Sequence, residues 1–181
     1  MVEEGQDAPN FSALTETFKN VQLFESSEKV LIILALMSVD TPVCETIVRH
    51  FDAEMTGTIE RASRSDDVRG SAKMFVETVE IWSVSLDLPF TLGRCREAAN
   101  VKNVKMLSDF RTREFSERYG VSISTGIHTG IISRAVFVIG KNMKIAYRWD
   151  PKNLSDEPKY KDVIEVTNRE LNRISIGNVK A

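Results

Sequence analysis

The sequence predicts an α/β fold in which helices cover both faces of a mixed central sheet. Residues 30–37 are apolar on both faces, as in a central strand that is covered on both sides. Strands and helices then alternate along the chain before a C-terminal hairpin, which indicates parallel βαβ units followed by antiparallel strands. The length of 181 residues predicts a single domain over 1–181, long enough to bury a core without disulfide bonds.

The elements follow in a regular order. Residues 15–17 and 21–24 flank a polar turn and predict an N-terminal β-hairpin. After the strand at 30–37, Thr41 is suited to cap a helix and Pro42 to begin it, and apolar residues at 47, 48 and 51 form its buried stripe. The charged stretch 54–73 predicts an extension of this helix and then an exposed loop.

The second half continues the alternation. Residues 79–86 and 104–107 predict strands, and residues from Pro89 to about 100 and 112–119 predict helices. Residues 134–139 and 143–149 predict a hairpin, and 160–174 a terminal helix. A thioredoxin-like fold is the best single match to this order.

Composition excludes several classes of function. There are 24 lysines and arginines against 26 aspartates and glutamates, and the net charge of −2 argues against nucleic-acid and anionic-membrane binding. The N-terminus is acidic without an apolar core, and residues 30–37 are far shorter than the ~20 needed to span a bilayer. We therefore expect a cytoplasmic protein without membrane association.

Metal and cofactor sites are not expected either. Two cysteines cannot build a cysteine-rich zinc site or a disulfide-dense scaffold. His50 and His128 lack a metal-ligand cluster, and the sequence has no glycine-rich phosphate loop. The prediction is a protein that needs neither a metal nor an organic cofactor.

Cys44 is the first candidate for chemistry. If Thr41 caps the helix, Cys44 is its third residue, where free N–H groups and the helix dipole favour a thiolate over a thiol. The thiolate is the nucleophilic form, so a reactive cysteine is one interpretation. The other is a buried cysteine that packs as a small hydrophobic residue.

Cys95 and Arg134 are the next candidates. Cys95 lies among polar residues of a helix, where Arg94 and Arg96 are expected to lower the pKa of its thiol. Its long separation from Cys44 excludes a Cys-x-x-Cys motif, and it could equally be an incidental helix residue. Arg134 begins an apolar strand and needs a partner. It could lie beside Cys44 and bind a substrate oxygen, or pair with a surface carboxylate.

These residues occur in motifs that resemble a known family. Asp40-Thr41-Pro42-Val43-Cys44 resembles the peroxidatic motif of peroxiredoxins, and most closely that of the thiol peroxidase subfamily of atypical two-cysteine peroxiredoxins. The similarity covers nearly the whole chain. It continues in Ala8-Pro9-Asn10-Phe11, Ser85-Leu86-Asp87-Leu88-Pro89-Phe90, Leu107-Ser108-Asp109-Phe110-Arg111, Tyr119-Gly120-Val121, Ser133-Arg134-Ala135-Val136-Phe137-Val138 and Glu157-Pro158-Lys159-Tyr160.

The resemblance implies a thiol-dependent peroxidase. Cys44 would be the peroxidatic nucleophile that becomes a sulfenic acid, with Thr41, Val43 and Arg134 binding the hydroperoxide. Cys95 would resolve the sulfenic acid as an intrachain disulfide, which thioredoxin would reduce. The implied substrates are hydrogen peroxide and alkyl or lipid hydroperoxides, and the implied assembly is a homodimer.

Three departures from the family pattern leave alternatives open. Met37 occupies the position of a family proline that shields the reactive cysteine. Cys95 falls one residue before the usual resolving position, which Arg96 occupies, so the protein could instead rely on an external thiol. Residues 55–73 are expected to contain a surface insertion of roughly one to two dozen residues. Together they motivate a second hypothesis, a redox sensor or interaction protein with weak or no turnover.

Overall fold

Strand β3 (Val30–Ala35) is an interior strand of the sheet, and all six of its residues are buried. The computed structural model describes residues 1–63 and 71–177. β3 pairs in parallel with β4 (Val79–Ser85) and antiparallel with β6 (Ala135–Ile139). Its alternate side chains enter two different apolar clusters, which explains why its sequence is apolar on both faces.

The remaining strands are β1 (Ser12–Thr15), β2 (Asn20–Gln22), β5 (Val104–Ser108) and β7 (Ile145–Trp149). Within the described residues, the sheet has seven strands in the order β2-β1-β5-β4-β3-β6-β7. β5 is parallel to β4, whereas β1 and β7 are antiparallel to their neighbours, so the predicted mixed sheet and N-terminal hairpin are confirmed. The hairpin begins earlier than predicted, and residues 23–24 open a short 3-10 helix (Leu23–Ser26) instead of a strand.

Helices lie on both faces, as predicted. Side chains from α1 (Pro42–Ala62), α2 (Ser71–Thr78), α3 (Pro89–Ala99) and α5 (Tyr160–Gly177) enter one apolar cluster. The opposite face is covered by α4 (Glu114–Arg118) and the N-terminal segment, around the buried aromatic rings of Phe11, Trp82, Phe115 and Tyr119. Among residues 1–63 and 71–177, no helix has the length and apolar character needed to cross a membrane.

The charged stretch after α1 differs in part from the prediction. The helix extension is present, because α1 continues to Ala62. Residues 71–73, predicted as loop, instead begin α2, a helix that the sequence pattern did not indicate. Met55 within this stretch and Phe75 just after it are buried in the core. Arg64, Asp66, Asp67 and Arg69 lie outside the described residues.

Candidate active site

Cys44 lies at the start of α1, at the carboxyl end of the central strand. Thr41 has an extended backbone (φ −91°, ψ 136°) at the N-cap position, and Pro42 opens the helix. The first helical hydrogen bond runs from the Glu45 N–H to the Thr41 carbonyl oxygen at 2.9 Å. Cys44 is therefore the third helical residue, as predicted, and its side chain is completely buried in the apolar cluster beneath α1.

The loop before α1 fixes the Thr41 side chain. The Ser38 carbonyl oxygen accepts hydrogen bonds from both the Thr41 N–H (3.2 Å) and the Thr41 hydroxyl (2.9 Å). The hydroxyl proton is thus directed to the loop, and the lone pairs of the oxygen are left as acceptors. Met37 and Val43, on either side of this loop, are half-buried and pack against the cluster that contains Cys44.

Arg134 lies at the same edge of the sheet as Cys44. Ala135 pairs with Ala35, so Arg134 comes opposite Leu36, just before the loop that leads to α1. Its side chain is 2% exposed. The guanidinium group donates hydrogen bonds to the carbonyl oxygens of Asp156 (2.8 Å), Asn153 (3.3 Å) and Leu154.

The partners of Arg134 are thus main-chain carbonyls, rather than the surface carboxylate considered from the sequence. They belong to a tight loop in which the Asp156 carboxylate accepts the N–H groups of Lys152 and Asn153, each at 2.8 Å. The Asn153 N–H, with a smaller contribution from the Arg134 charge, holds the pKa of Asp156 below its usual value. This loop orients the arginine, and the sequence analysis did not identify it.

Cys95 faces the loop that precedes Cys44. It lies in α3, is half-buried, and its Sγ is 3.9 Å from the carbonyl oxygen of Val39. Its side chain also packs against the apolar cluster that contains Cys44, and both cysteines are free thiols.

The neighbouring Arg96 points elsewhere, because one helical step rotates a side chain by ~100°. Its guanidinium group lies 2.9 Å from the Glu16 carboxylate and donates to the carbonyl oxygens of Val101 and Val104. On this helix, therefore, it is the residue at position 95 that faces the loop before Cys44.

The predicted effect of the flanking arginines on Cys95 is wrong. Burial raises the pKa of the Cys95 thiol, and the charges of three nearby carboxylates raise it further, those of Asp40, Glu45 and Asp87. Arg94 pairs with Asp40 at 3.7 Å and Arg96 with Glu16, so neither cation is directed at the thiol. Among these influences on the Cys95 thiol, the charge of Arg49 acts in the opposite direction and lowers the pKa.

Asp87 is a residue of the site to which the sequence analysis assigned no role. It follows β4 directly, and its carboxylate accepts hydrogen bonds from the Ser38 hydroxyl (2.9 Å), the Val39 N–H (2.8 Å) and the Ser85 hydroxyl (2.8 Å). Its position at the carboxyl end of a parallel strand was a signal that could have identified it.

The two histidines remain outside the site. The ring of His50 stacks on Tyr160 at 3.6 Å between centroids, in a surface groove of about 690 Å³. Across residues 1–63 and 71–177, no group of three or more His, Cys, Asp or Glu side chains is arranged to hold a metal ion.

Comparison with known proteins agrees with these observations. The family model described as Redoxin matches residues 3–164. The chain is 35% identical to a thiol peroxidase of Aquifex aeolicus over 88% of its length and 83% of the relative, and 34% identical to one of Clostridium acetobutylicum over 91% and 87%. It superposes on the crystal structure of a peroxiredoxin-like protein from Aquifex aeolicus with a TM-score of 0.77, 32% identity, and coverage of 93% and 88% of the two chains.

The thioredoxin-like fold expected from the element order is confirmed by this superposition, and the resemblance to thiol peroxidases by these relatives. The family match covers well over half of the chain, and the relatives exceed 30% identity over most of their own length. The chain therefore belongs to the redoxin family.

Proposed function

We propose that this protein is a thiol-dependent peroxidase in which Cys44 reduces hydrogen peroxide and alkyl or lipid hydroperoxides. One observation carries the proposal. In a redoxin chain whose relatives are thiol peroxidases, Cys44 is the third residue of a helix that begins at the carboxyl end of the central strand. Unpaired N–H groups and the helix dipole stabilise a thiolate at this position.

The first step oxidises Cys44. Its thiolate attacks the terminal oxygen of the hydroperoxide, the O–O bond breaks, and the leaving oxygen takes a proton to become water or an alcohol. Arg134 and the Cys44 N–H stabilise the charge that moves onto the leaving oxygen. Thr41 and Val43 complete the substrate pocket, and the Thr41 hydroxyl must rotate away from the Ser38 carbonyl if it is to donate to the peroxide.

The second step joins the two cysteines. The Cys95 sulfur attacks the sulfenic acid at Cys44, an S–S bond forms, and the hydroxyl group leaves with the thiol proton as water. The contact of Cys95 with Val39, five residues before Cys44, supports this role despite the one-residue displacement. Thioredoxin or a similar dithiol then reduces the disulfide and is itself oxidised.

We propose that the protein is a cytoplasmic homodimer.

A second candidate function has specific support. The Cys44 side chain is completely buried, and burial raises the pKa of Cys95 above its usual value. Both features would slow turnover, as expected of a redox sensor that passes its oxidation to a protein partner. Sustained peroxide consumption without such a partner would exclude this alternative.

The deciding experiment measures peroxide consumption in the presence of a thioredoxin system. We expect wild-type protein to turn over many times, and Cys44→Ser to lose all activity because serine cannot form a sulfenic acid. Cys95→Ser, which keeps Cys44, is the matched control for the loss of a thiol: it should still consume one equivalent of peroxide, although sustained turnover with thioredoxin requires the disulfide. Retained turnover in Cys44→Ser would overturn the assignment of Cys44.

A further inference from the structure

The Asp87 carboxylate connects the two segments that carry the cysteines. It accepts hydrogen bonds from Ser38 and Val39 in the loop that leads to Cys44. Asp87 itself immediately precedes the N-cap of α3, the helix that carries Cys95. One side chain thus binds the first segment while its own backbone leads into the second.

Asp87 is firmly held at the edge of the sheet. Its N–H donates to the Ser85 hydroxyl at 3.3 Å, and its carbonyl oxygen accepts a hydrogen bond from the Ser108 hydroxyl. The Asp109 N–H in turn donates to the Ser85 carbonyl oxygen at 2.8 Å. Because Ser85 and Ser108 are buried at the ends of β4 and β5, Asp87 is anchored to two paired, buried strands of the sheet.

From this anchor, hydrogen bonds continue to the start of α1. Ser38 donates its hydroxyl proton to Asp87, and the same hydroxyl oxygen accepts the Asp40 N–H at 3.1 Å. The Ser38 carbonyl oxygen accepts both the N–H and the hydroxyl of Thr41, the N-cap residue. Hydrogen bonds thus connect Asp87 to the loop from which the helix that carries Cys44 begins.

The peptide groups of Val39 complete the connection to Cys95. The Val39 N–H binds Asp87 at 2.8 Å, whereas the Val39 carbonyl oxygen is the contact of the Cys95 sulfur at 3.9 Å. A bond of about 2 Å between the two sulfurs would replace this contact. The loop must then shift relative to α3.

We propose that Asp87 is a positioning residue that holds loop 38–41 in the form that reacts with peroxide, and that its hydrogen bonds to Ser38 and Val39 break when Cys44 and Cys95 are joined. The inference rests on the proposed function, since it assigns Asp87 opposite effects on the two steps. It favours oxidation of Cys44 and opposes formation of the disulfide.

The test is Asp87→Asn, followed by rapid-quench mass spectrometry after one equivalent of hydrogen peroxide. The amide offers one oxygen where the carboxylate offers two, so at least one donor of the loop loses its acceptor. We expect oxidation of Cys44 to slow, while the ratio of the disulfide-forming rate to the oxidation rate rises about tenfold, as for loss of a hydrogen bond to a charged group. Loss of the Asp87 charge near Cys95 accounts for only about two- to threefold of this rise and does not slow the oxidation of Cys44. Asp87→Glu, which keeps both carboxylate oxygens, should return this ratio part of the way to the wild-type value.

Asp109→Asn is the matched control. Asp109 follows the neighbouring strand and is fully buried, but it accepts the N–H groups of Phe115 (3.1 Å) and Ser116 (2.9 Å), which belong to α4. We expect this variant to lower the melting temperature and to leave the ratio of the two rates unchanged. If Asp87→Asn changes the rates of Cys44 oxidation and of disulfide formation by the same factor, Asp87 has only a structural role and the inference is wrong.

Failure of the proposed function would be recognised separately. If wild-type protein forms no sulfenic acid with peroxide, the proposed function fails, and the Asp87 inference is decided by alkylation of Cys44 with iodoacetamide in the Cys95→Ser background. If Asp87→Asn changes the alkylation rate and Asp109→Asn does not, the result would support positioning of the loop by Asp87. If the two variants are alkylated at the same rate, the inference is overturned.

Discussion

The start of α1 and the middle of α3 carry the same chemical group in different surroundings. Cys44 is completely buried at a helix start, where main-chain N–H groups have no helical partners. Cys95 is half-buried in the middle of a helix, where burial raises the pKa of its thiol and the charges of Asp40, Glu45 and Asp87 raise it further. The first site thus offers main-chain hydrogen-bond donors, whereas burial and nearby negative charges favour the protonated thiol at the second.

This difference explains how two thiols against one apolar cluster can have separate tasks. The proposed first step needs a thiolate that stays ready for peroxide. The second residue must be kept from reacting before a sulfenic acid has formed, because a thiol that is protonated is a poor nucleophile. On this view, the acidic groups around Cys95 set the order of the two steps.

The Cys95→Ser variant should separate the roles of the two cysteines most strongly. We expect the variant to oxidise Cys44 at a rate within about twofold of wild type, because surface and half-buried changes away from the reacting atom have small effects. The intrachain disulfide should be absent, and excess peroxide should carry Cys44 on to the sulfinic acid. Intact-mass spectrometry distinguishes these products. Undiminished turnover with thioredoxin would contradict the resolving role and indicate direct reduction by an external thiol.

The pH dependence of disulfide formation gives the next largest effect. Because the pKa of Cys95 is raised, its thiolate fraction is small near neutral pH and grows about tenfold per pH unit until the pKa is reached. We therefore expect the rate of disulfide formation after one equivalent of peroxide to rise with pH from about 6.5 to about 8.5. A flat profile would show that Cys95 already reacts as a thiolate at neutral pH.

The two sites also differ in how much of each could be predicted from the sequence. The position of Cys44 follows from local rules, because a threonine, a residue type favoured at the N-cap, and a proline at the first helical position indicate the helix start within a few residues. The Thr41 hydroxyl itself donates to the Ser38 carbonyl oxygen and makes no cap hydrogen bond. The buried strand before it follows from residues 30–37 in the same way. Such signals lie within one segment and need no knowledge of tertiary contacts.

The surroundings of Cys95 depend on contacts between distant segments. Arg94 and Arg96 are adjacent to it in sequence, yet each pairs with a carboxylate elsewhere, while acidic groups from α1 and the two loops surround the thiol. The carbonyl partners of Arg134 come from a loop about twenty residues downstream. α2 was missed because its apolar stripe is short and follows a strongly charged stretch.

Asp40→Asn gives the smallest expected change and the sharpest test of how charge controls Cys95. Asp40 is exposed, pairs with Arg94 at 3.7 Å, and contributes to the raised pKa of the Cys95 thiol. Removing its charge should lower that pKa, free the Arg94 cation, and speed disulfide formation at neutral pH by about two- to threefold, the scale of a screened surface charge. Stability should hardly change, since exposed ion pairs contribute about 0–1 kcal/mol.

The control for this variant is Asp7→Asn, which removes the same charge from an exposed pair with Lys144 on another part of the surface. Asp7 is not among the groups that act on Cys95, so this variant should leave the rate of disulfide formation unchanged. The acceleration in Asp40→Asn should also shrink as the ionic strength rises, because salt screens charges near the surface. An acceleration that persists in high salt would point to a movement of loop 38–41 instead of a change in charge. A rate equal to that of Asp7→Asn would mean that the Asp40 charge does not control the reactivity of Cys95.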